Sequence, residues 1–296
     1  MSEAHLRLQT YQGLPSTFIQ YVRAVCSRKP LLAPEGCAAP TIRVTAQQVR
    51  VNAAHVQRYC SICGITPTEF LPPAYLHVLA MPLHMRVFTH RLFPAKVLGL
   101  VHLRNMIRQW QPIPIDSVLE LRVDYDSLRE TESGQEYDLI TSAHLDGRLV
   151  WEEISTMLAR RHVAGKRPVI ERGQRNEQQL LCEHTVNVRS QTGRRYAWVS
   201  GDYNPIHLFN RTAQWFGFKQ CVAHGMWSLS RCIGFGHSYL PAFPIEIDAQ
   251  FKLPIYLPSD FVFRAQRNDV GVDLSLSTVK GDRLHLSVQA KPIAQR

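Results

Sequence analysis

The sequence predicts an α+β fold in which one plan occurs twice in tandem: a helix wrapped by an antiparallel sheet. Three observations carry this reading. The second half ends in alternating strand-like runs joined by short turns. The first half shows the same order of a helical run followed by strand-like runs. A faint self-similarity links the two halves at matching places.

In the second half, Ile245, Ile247, Ala249, Phe251 and Leu253 alternate with Glu246, Asp248, Gln250 and Lys252, the pattern of a strand with one dry face. Phe261-Val262-Phe263, 270–279 and 284–288 continue it. Asn268-Asp269 and Lys280-Gly281-Asp282 are turn signals between them. Four strands with short links predict an antiparallel meander. The apolar segment 225–235 precedes them and is bounded by glycines, so a helix is expected there.

In the first half, 118–125, 135–146 and 149–161 are strand-like, with hairpin signals at Ser133-Gly134 and Asp146-Gly147. The apolar run 74–88 reads as a helix interrupted by Pro82. Arg58-Tyr59-Cys60-Ser61-Ile62-Cys63-Gly64 lines up with Arg195-Tyr196-Ala197-Trp198-Val199-Ser200-Gly201. Trp110-Gln111-Pro112-Ile113 resembles Phe251-Lys252-Leu253-Pro254-Ile255. The polar stretch 165–177 has no apolar period and reads as a linker. The expected division is therefore a first domain over 1–165, a linker over 166–175 and a second domain over 176–296.

Composition narrows the class. The chain has 296 residues, 45% hydrophobic and 20% charged, which excludes a disordered, collagen-like or coiled-coil chain. No run approaches the length of a membrane span. The opening Met1-Ser2-Glu3-Ala4-His5-Leu6-Arg7 is not a secretory signal, so a cytoplasmic protein is expected. The net charge of +10 divides into +3 over residues 1–165 and +7 over 166–296, with no run of like charges to suggest nucleic-acid binding. It suits a small anionic ligand or an acidic carrier protein, or simply a soluble basic surface. Seven cysteines read as reduced thiols; Cys60-x-x-Cys63 lacks the second pair that a zinc site needs.

Chemistry concentrates in Ser200-Gly201-Asp202-Tyr203-Asn204-Pro205-Ile206-His207. Asn-Pro bends the chain, so Asp202 and His207 can face one cleft. A carboxylate beside an imidazole can hold a water and move its proton, and an unperturbed histidine titrates near 6.5. The plainer alternative is an Asx-turn with a surface histidine. Ala223-His224-Gly225-Met226-Trp227 then leads into the expected helix, whose first free N–H groups can hold an oxygen that becomes negative. The alternative for Gly225 is a small residue packed at a helix start. After Gly64 the first copy reads Ile65-Thr66-Pro67-Thr68-Glu69-Phe70, with neither Asp nor His at the matching places. A single site belongs to the second copy.

These segments resemble the MaoC-like hydratases and dehydratases, whose pattern is roughly Tyr-x-x-x-Ser-Gly-Asp-x-Asn-Pro-x-His followed by Ala-His-Gly-Met. Here it runs from Tyr196 to His207 and from Ala223 to Met226. Beyond His207 the family's x-Asp-Pro is replaced by Leu208-Phe209-Asn210. The first half is similar to the degenerate first repeat of double-hotdog members, through the run from Pro72 to Leu83 and through Leu98-Gly99-Leu100-Val101-His102-Leu103-Arg104-Asn105. The resemblance implies a double hotdog. It also implies reversible hydration of trans-2-enoyl thioesters to (3R)-3-hydroxyacyl thioesters in fatty-acid metabolism, with no cofactor and no metal. Asp202 and His207 would activate water and the Gly225 N–H would polarise the thioester carbonyl. Asn204, Tyr196, Ser200 and His224 are supporting motif positions. Arg194, Arg195, Arg231 and Lys252 flank the motif as candidates for the phosphates of CoA or of carrier-bound phosphopantetheine. The degenerate half would widen the tunnel for the acyl chain, and two hotdogs in one chain would replace the usual dimer, with a further homodimer left open. A hotdog thioesterase and a non-catalytic acyl-thioester binding module are the alternative readings.

Overall fold

The computed structural model describes residues 7–161 and 179–295; the expected linker over 166–175 lies outside them. In chain order the first half contains β1 (Arg7–Gln12), α1 (Thr17–Val25), β2 (Ile42–Arg50), α2 (Ala53–Cys63), α3 (Tyr75–Phe88), β3 (Val101–Gln109), β4 (Val118–Thr131), β5 (Gly134–Leu145) and β6 (Arg148–Arg160). The second contains β7 (Gln179–Val188), α4 (Thr192–Ser200), a 3-10 turn over Pro205–His207, α5 (Asn210–Gln214), α6 (Gly225–Gly236), β8 (Ile245–Phe251), β9 (Ser259–Arg267), β10 (Val272–Thr278) and β11 (Leu284–Pro292).

The eleven strands of the described residues form one sheet, ordered β1-β2-β4-β5-β6-β3-β8-β11-β10-β9-β7. Apart from β1, the order reads the same from both ends, so the fold is a double hotdog with the halves joined at β3 and β8. That seam is antiparallel, from Arg104 opposite Gln250 to Gln109 opposite Ile245.

The hairpin signals hold. Asp146 and Gly147 both take positive φ, +50° and +75°, which a two-residue turn between β5 and β6 needs. The expected four-strand meander needs correction. β9, β10 and β11 do form one, but β8 pairs with β11 and β3 rather than with its sequence neighbour β9. The physical reason is burial of the polar side of β8. Glu246 is buried because Arg108 across the seam donates to it at 2.7 Å and Lys291 at 3.0 Å. Alternation along one strand reports its dry face and not its neighbours.

Each half of the sheet wraps one helix. Twelve of the fourteen residues of α3 are buried, and the helix runs through Pro82 without stopping. A helix-interior proline costs about 3 kcal/mol. Burying Met81, Leu83, Met85 and their neighbours outweighs it at roughly 1.5–3 kcal/mol per side chain. Its counterpart α6 is shorter and carries Gly234 and Gly236 against Ile65 and Leu274, contacts too tight for a Cβ.

The aligned segments 58–64 and 195–201 are the C-terminal parts of α2 and α4, and each ends on a left-handed glycine, Gly64 at φ +63° and Gly201 at φ +71°. The halves interlock there. His55 Nε2 donates to the Val199 carbonyl at 2.9 Å, Tyr59 pairs with Ser230 at 2.6 Å, and Trp227 Nε1 donates to the Ile62 carbonyl at 3.1 Å. Cys60 and Cys63 are buried free thiols in this packing, and burial pushes Cys60 up to about 11, so neither is a ready nucleophile. Among the described residues no helix is long and apolar enough to cross a membrane.

Candidate active site

The loop after α4 is built to aim Asp202. Gly201 turns the chain, and Ser200 Oγ accepts the Asp202 N–H at 3.1 Å. Asp202 Oδ1 in turn accepts the Asn204 N–H at 3.1 Å. Asn204 caps the short 3-10 turn that follows, its side chain receiving the Ile206 N–H. Pro205 opens that turn and His207 closes it. α4 can lie against this turn only because residue 193 is glycine: a Cβ there would meet the His207 carbonyl at 2.2 Å.

His207 is buried, and its Nδ1 lies 2.7 Å from the Val222 carbonyl. A carbonyl can only accept, so Nδ1 carries the proton and Nε2 keeps its lone pair. The His224 ring stacks on His207 with centroids 3.7 Å apart. Its Nε2 donates to the backbone carbonyl of Asp202 at 3.0 Å, and Tyr196 supports its ring at 4.9 Å. Donor atoms of Asp202, His207 and His224 all lie within 4.8 Å of one another. Two hydrogen bonds of about 2.8 Å reach across such a gap, the spacing that a bridging water needs. A cation could use the same spacing.

The electrostatics assign protonation states. For Asp202, burial favours the neutral acid, but His224, His207, the Asn204 N–H and the Tyr21 hydroxyl together win and hold it below the usual carboxylate range. Burial lowers His207, with Asp202 opposing, and lowers His224 to about 3. At neutral pH the trio is one carboxylate and two neutral imidazoles.

Tyr21, from α1, was not legible in the sequence. Its hydroxyl donates to Asp202 Oδ1 at 2.9 Å and accepts the Tyr203 N–H at 2.8 Å, so α1 pins the loop that carries Asp202. No local signal marks a partner 181 residues away.

Gly225 opens α6 beside this trio, and the Phe251 ring lies so close that a Cβ would sit 3.1 Å from it. Asp202, His207, Gly225, Asn204, Tyr196, Ser200 and His224 all line one cavity of about 210 Å³. It continues past Met81, Met85, Phe88 and Leu139 into the first hotdog. The matching position in that half differs. The Leu71 N–H donates to the Ile113 carbonyl as the Ala223 N–H donates to the Ile255 carbonyl, both at 2.8 Å. Two residues on, Gly225 therefore corresponds to Pro73, which has no N–H to offer. The first half also joins Gly64 to Phe70 through the short Ile65-Thr66-Pro67-Thr68-Glu69 link, where the second inserts the longer loop that carries Asp202 and His207.

The four basic candidates separate. Lys252 is exposed and lines the cavity, as does Arg160, which the sequence had not singled out. Arg194 is exposed beside the loop, donating to the Leu208 carbonyl at 3.1 Å and lying over Phe209. Arg195 is exposed on α4. Arg231 is placed elsewhere: it donates to the Cys63 carbonyl at 3.2 Å and stacks on Phe235, tying α6 to α2.

Residues 171–286 match the family described as MaoC like domain. That stretch of the chain is similar to a MaoC-like domain. Over 277 residues, 94% of this chain and 98% of the relative, it is 26% identical to 3-hydroxyacyl-thioester dehydratase X of Mycobacterium tuberculosis. The crystal structure of HtdX from that organism is similar with TM-score 0.73, covering 85% of this chain and all of the other. A MaoC-like dehydratase from Phytophthora capsici, 16% identical, shares the fold with TM-score 0.65 over 84% of this chain and 94% of the other. The matched stretch holds the loop and the start of α6, while the half before it supplies Tyr21 and the deep wall of the cavity.

Proposed function

We propose that this protein is a hydro-lyase that adds water reversibly to trans-2-enoyl thioesters, giving (3R)-3-hydroxyacyl thioesters in fatty-acid metabolism. The observation that carries the reading is the convergence of Asp202 and His207 on one cavity opposite the first amide of α6. The name of the mycobacterial relative, a 3-hydroxyacyl-thioester dehydratase, supports the reaction class.

The thioester carbonyl sits at the Gly225 N–H, which draws charge from the double bond and leaves C3 electrophilic. Water lies between Asp202 and Nε2 of His207. The imidazole takes one water proton as the oxygen bonds to C3, and the carboxylate orients the other hydrogen. The electron pair of the double bond moves onto the carbonyl oxygen, where the amide stabilises it; losing one such donor in other enzymes costs about 2.7–4 kcal/mol. The imidazolium, held beside ionised Asp202, returns its proton to C2, and the enzyme is restored. Every proton is carried by side chains, so the proposal includes no cofactor and no metal. Lys252, Arg194 and Arg195 are assigned to the phosphates of CoA or of phosphopantetheine on a carrier protein.

Incubating the purified protein with a ladder of trans-2-enoyl-CoAs tests this. Loss of enoyl absorbance with formation of the (3R) alcohol is expected. Release of free thiol, or the (3S) product, would contradict it.

A further inference from the structure

The cavity beyond the catalytic loop is not uniformly apolar. His77 and His84, on one face of α3, lie with ring centroids 4.9 Å apart. His102 of β3 stacks on His77 at 5.7 Å. All three line the cavity. His102 also lies 4.8 Å from Phe251, the ring that covers Gly225. This wall therefore begins one ring away from the proposed carbonyl site.

A buried second row fixes these rings. Glu153 takes the Nδ1 proton of His77 at 2.9–3.0 Å and the Asn105 Nδ2 proton at 2.6 Å. Thr141 pairs with His84 Nε2 at 2.8 Å. Burial holds His84 and His102 at about 3. Burial of Glu153 is outweighed by His77 and its other neighbours, which bring its carboxyl down to about 2. His102 Nε2 and Asn105 Oδ1 are buried with no hydrogen-bond partner among the described residues. An alkyl tail gains nothing from such a wall, and leaving buried polar atoms unsatisfied is costly. The neutral imidazoles of His84 and His102 suit a neutral oxygen, which can accept or donate. A carboxylate tail would instead meet the charge of Glu153.

We propose that His77, His84 and His102 form a second recognition point, which binds a hydroxyl or carbonyl oxygen carried by the acyl chain a few carbons beyond C3. The inference rests on the hydration reading above and narrows its substrate class to oxygen-bearing enoyl thioesters. Donor atoms of His77, His84 and Glu153 lie within 4.8 Å of one another, a ligand set also known for divalent metals. Here Glu153 is already engaged by His77 and Asn105, and His84 by Thr141, which favours the organic oxygen.

The test uses the full-length enzyme and pairs of enoyl-CoAs of equal length, with and without a hydroxyl or keto group at each carbon from C5 onward. At one chain position the oxygenated member should have a kcat/KM about tenfold higher, chiefly through KM. In His84→Met and His102→Phe that ratio should fall towards one. The ratio is taken within each protein, so a general loss of activity cancels, and the wild-type ladder decides even if a variant does not fold. Hydration of plain substrates with no preference for oxygen at any position overturns the inference alone. Failure to hydrate any enoyl thioester overturns it together with the reading it rests on. Stoichiometric zinc binding in a titration with zinc alone, abolished in Glu153→Gln, would assign the cluster to a metal and also overturn it.

Discussion

Replacing Tyr21 with phenylalanine removes one oxygen from the site and keeps the ring. That oxygen donates to Asp202 Oδ1 at 2.9 Å and accepts the Tyr203 N–H at 2.8 Å. A hydrogen bond to a charged group contributes about 1.5–3 kcal/mol. The Asp202 side chain is 27% exposed and keeps the Asn204 N–H, so the lower figure applies. About 1.5 kcal/mol corresponds to roughly a tenfold change in rate, and losing the Tyr21 bond raises the Asp202 pKa towards the ordinary aspartate range. The sign follows from the native state: the Tyr21 bond lowers that pKa, so its stabilisation is present above the unfolded aspartate value near 3.9 and fades as pH falls through the folded one. Tyr21→Phe should therefore lose about 1.5 kcal/mol of unfolding free energy at pH 7, read by urea denaturation, and about tenfold in kcat. At a pH below the folded Asp202 value the stability difference should shrink. Wild-type kcat in a variant that has lost the expected stability would refute the idea that α1 aims the carboxylate, leaving Tyr21 as a tether only.

Three further outcomes are expected. His207 must be neutral to take a proton, and burial holds it below 6.5; the acid limb of kcat/KM should therefore lie below pH 6.5, and a limb above that value would contradict the assignment. Gly225→Ala presses a methyl to 3.1 Å from the Phe251 ring, so kcat/KM should fall by on the order of 100-fold, comparable to loss of one oxyanion donor, with partial recovery in Gly225→Ala/Phe251→Leu; no recovery would show that contact with Phe251 is not the cause. Cys60 and Cys63 should resist thiol labelling in the folded protein and react on unfolding, and rapid labelling of the native enzyme would show that α2 is not packed as described.

The parts of the fold legible in the sequence are those set by local chemistry. Asp146-Gly147 marks its hairpin because both residues must take positive φ, and Gly64 and Gly201 reveal the repeat because each ends a helix. The placement of β8 escaped, since strand order depends on partners more than 100 residues away such as Arg108. α4 escaped because Thr192 and Gly193 are poor helix formers; Gly193 is there for the close approach of the His207 carbonyl. β7 lies at the sheet edge with most of its residues exposed, and its apolar Leu180, Leu181 and Cys182 run together, so no clean alternation announces it. Asp202 and His207 were legible because turn chemistry brings them together within one short stretch, and Gly225 because a glycine ahead of an apolar run marks a helix start. Tyr21 and the buried histidines were not. A tyrosine on a surface helix and histidines in an apolar run look like packing until the tertiary fold supplies Asp202 and Glu153.

The central claim is that one carboxylate and one imidazole act together on a single water. A double-mutant cycle on the hydration rate, with Asp202→Asn, His207→Gln and the pair, measures that directly. Each single change should lower kcat by on the order of 1000-fold, and the double variant should be little worse than the poorer single, as for residues that work as a unit. Near-normal turnover in either single variant, or losses that multiply in the double, would contradict the account.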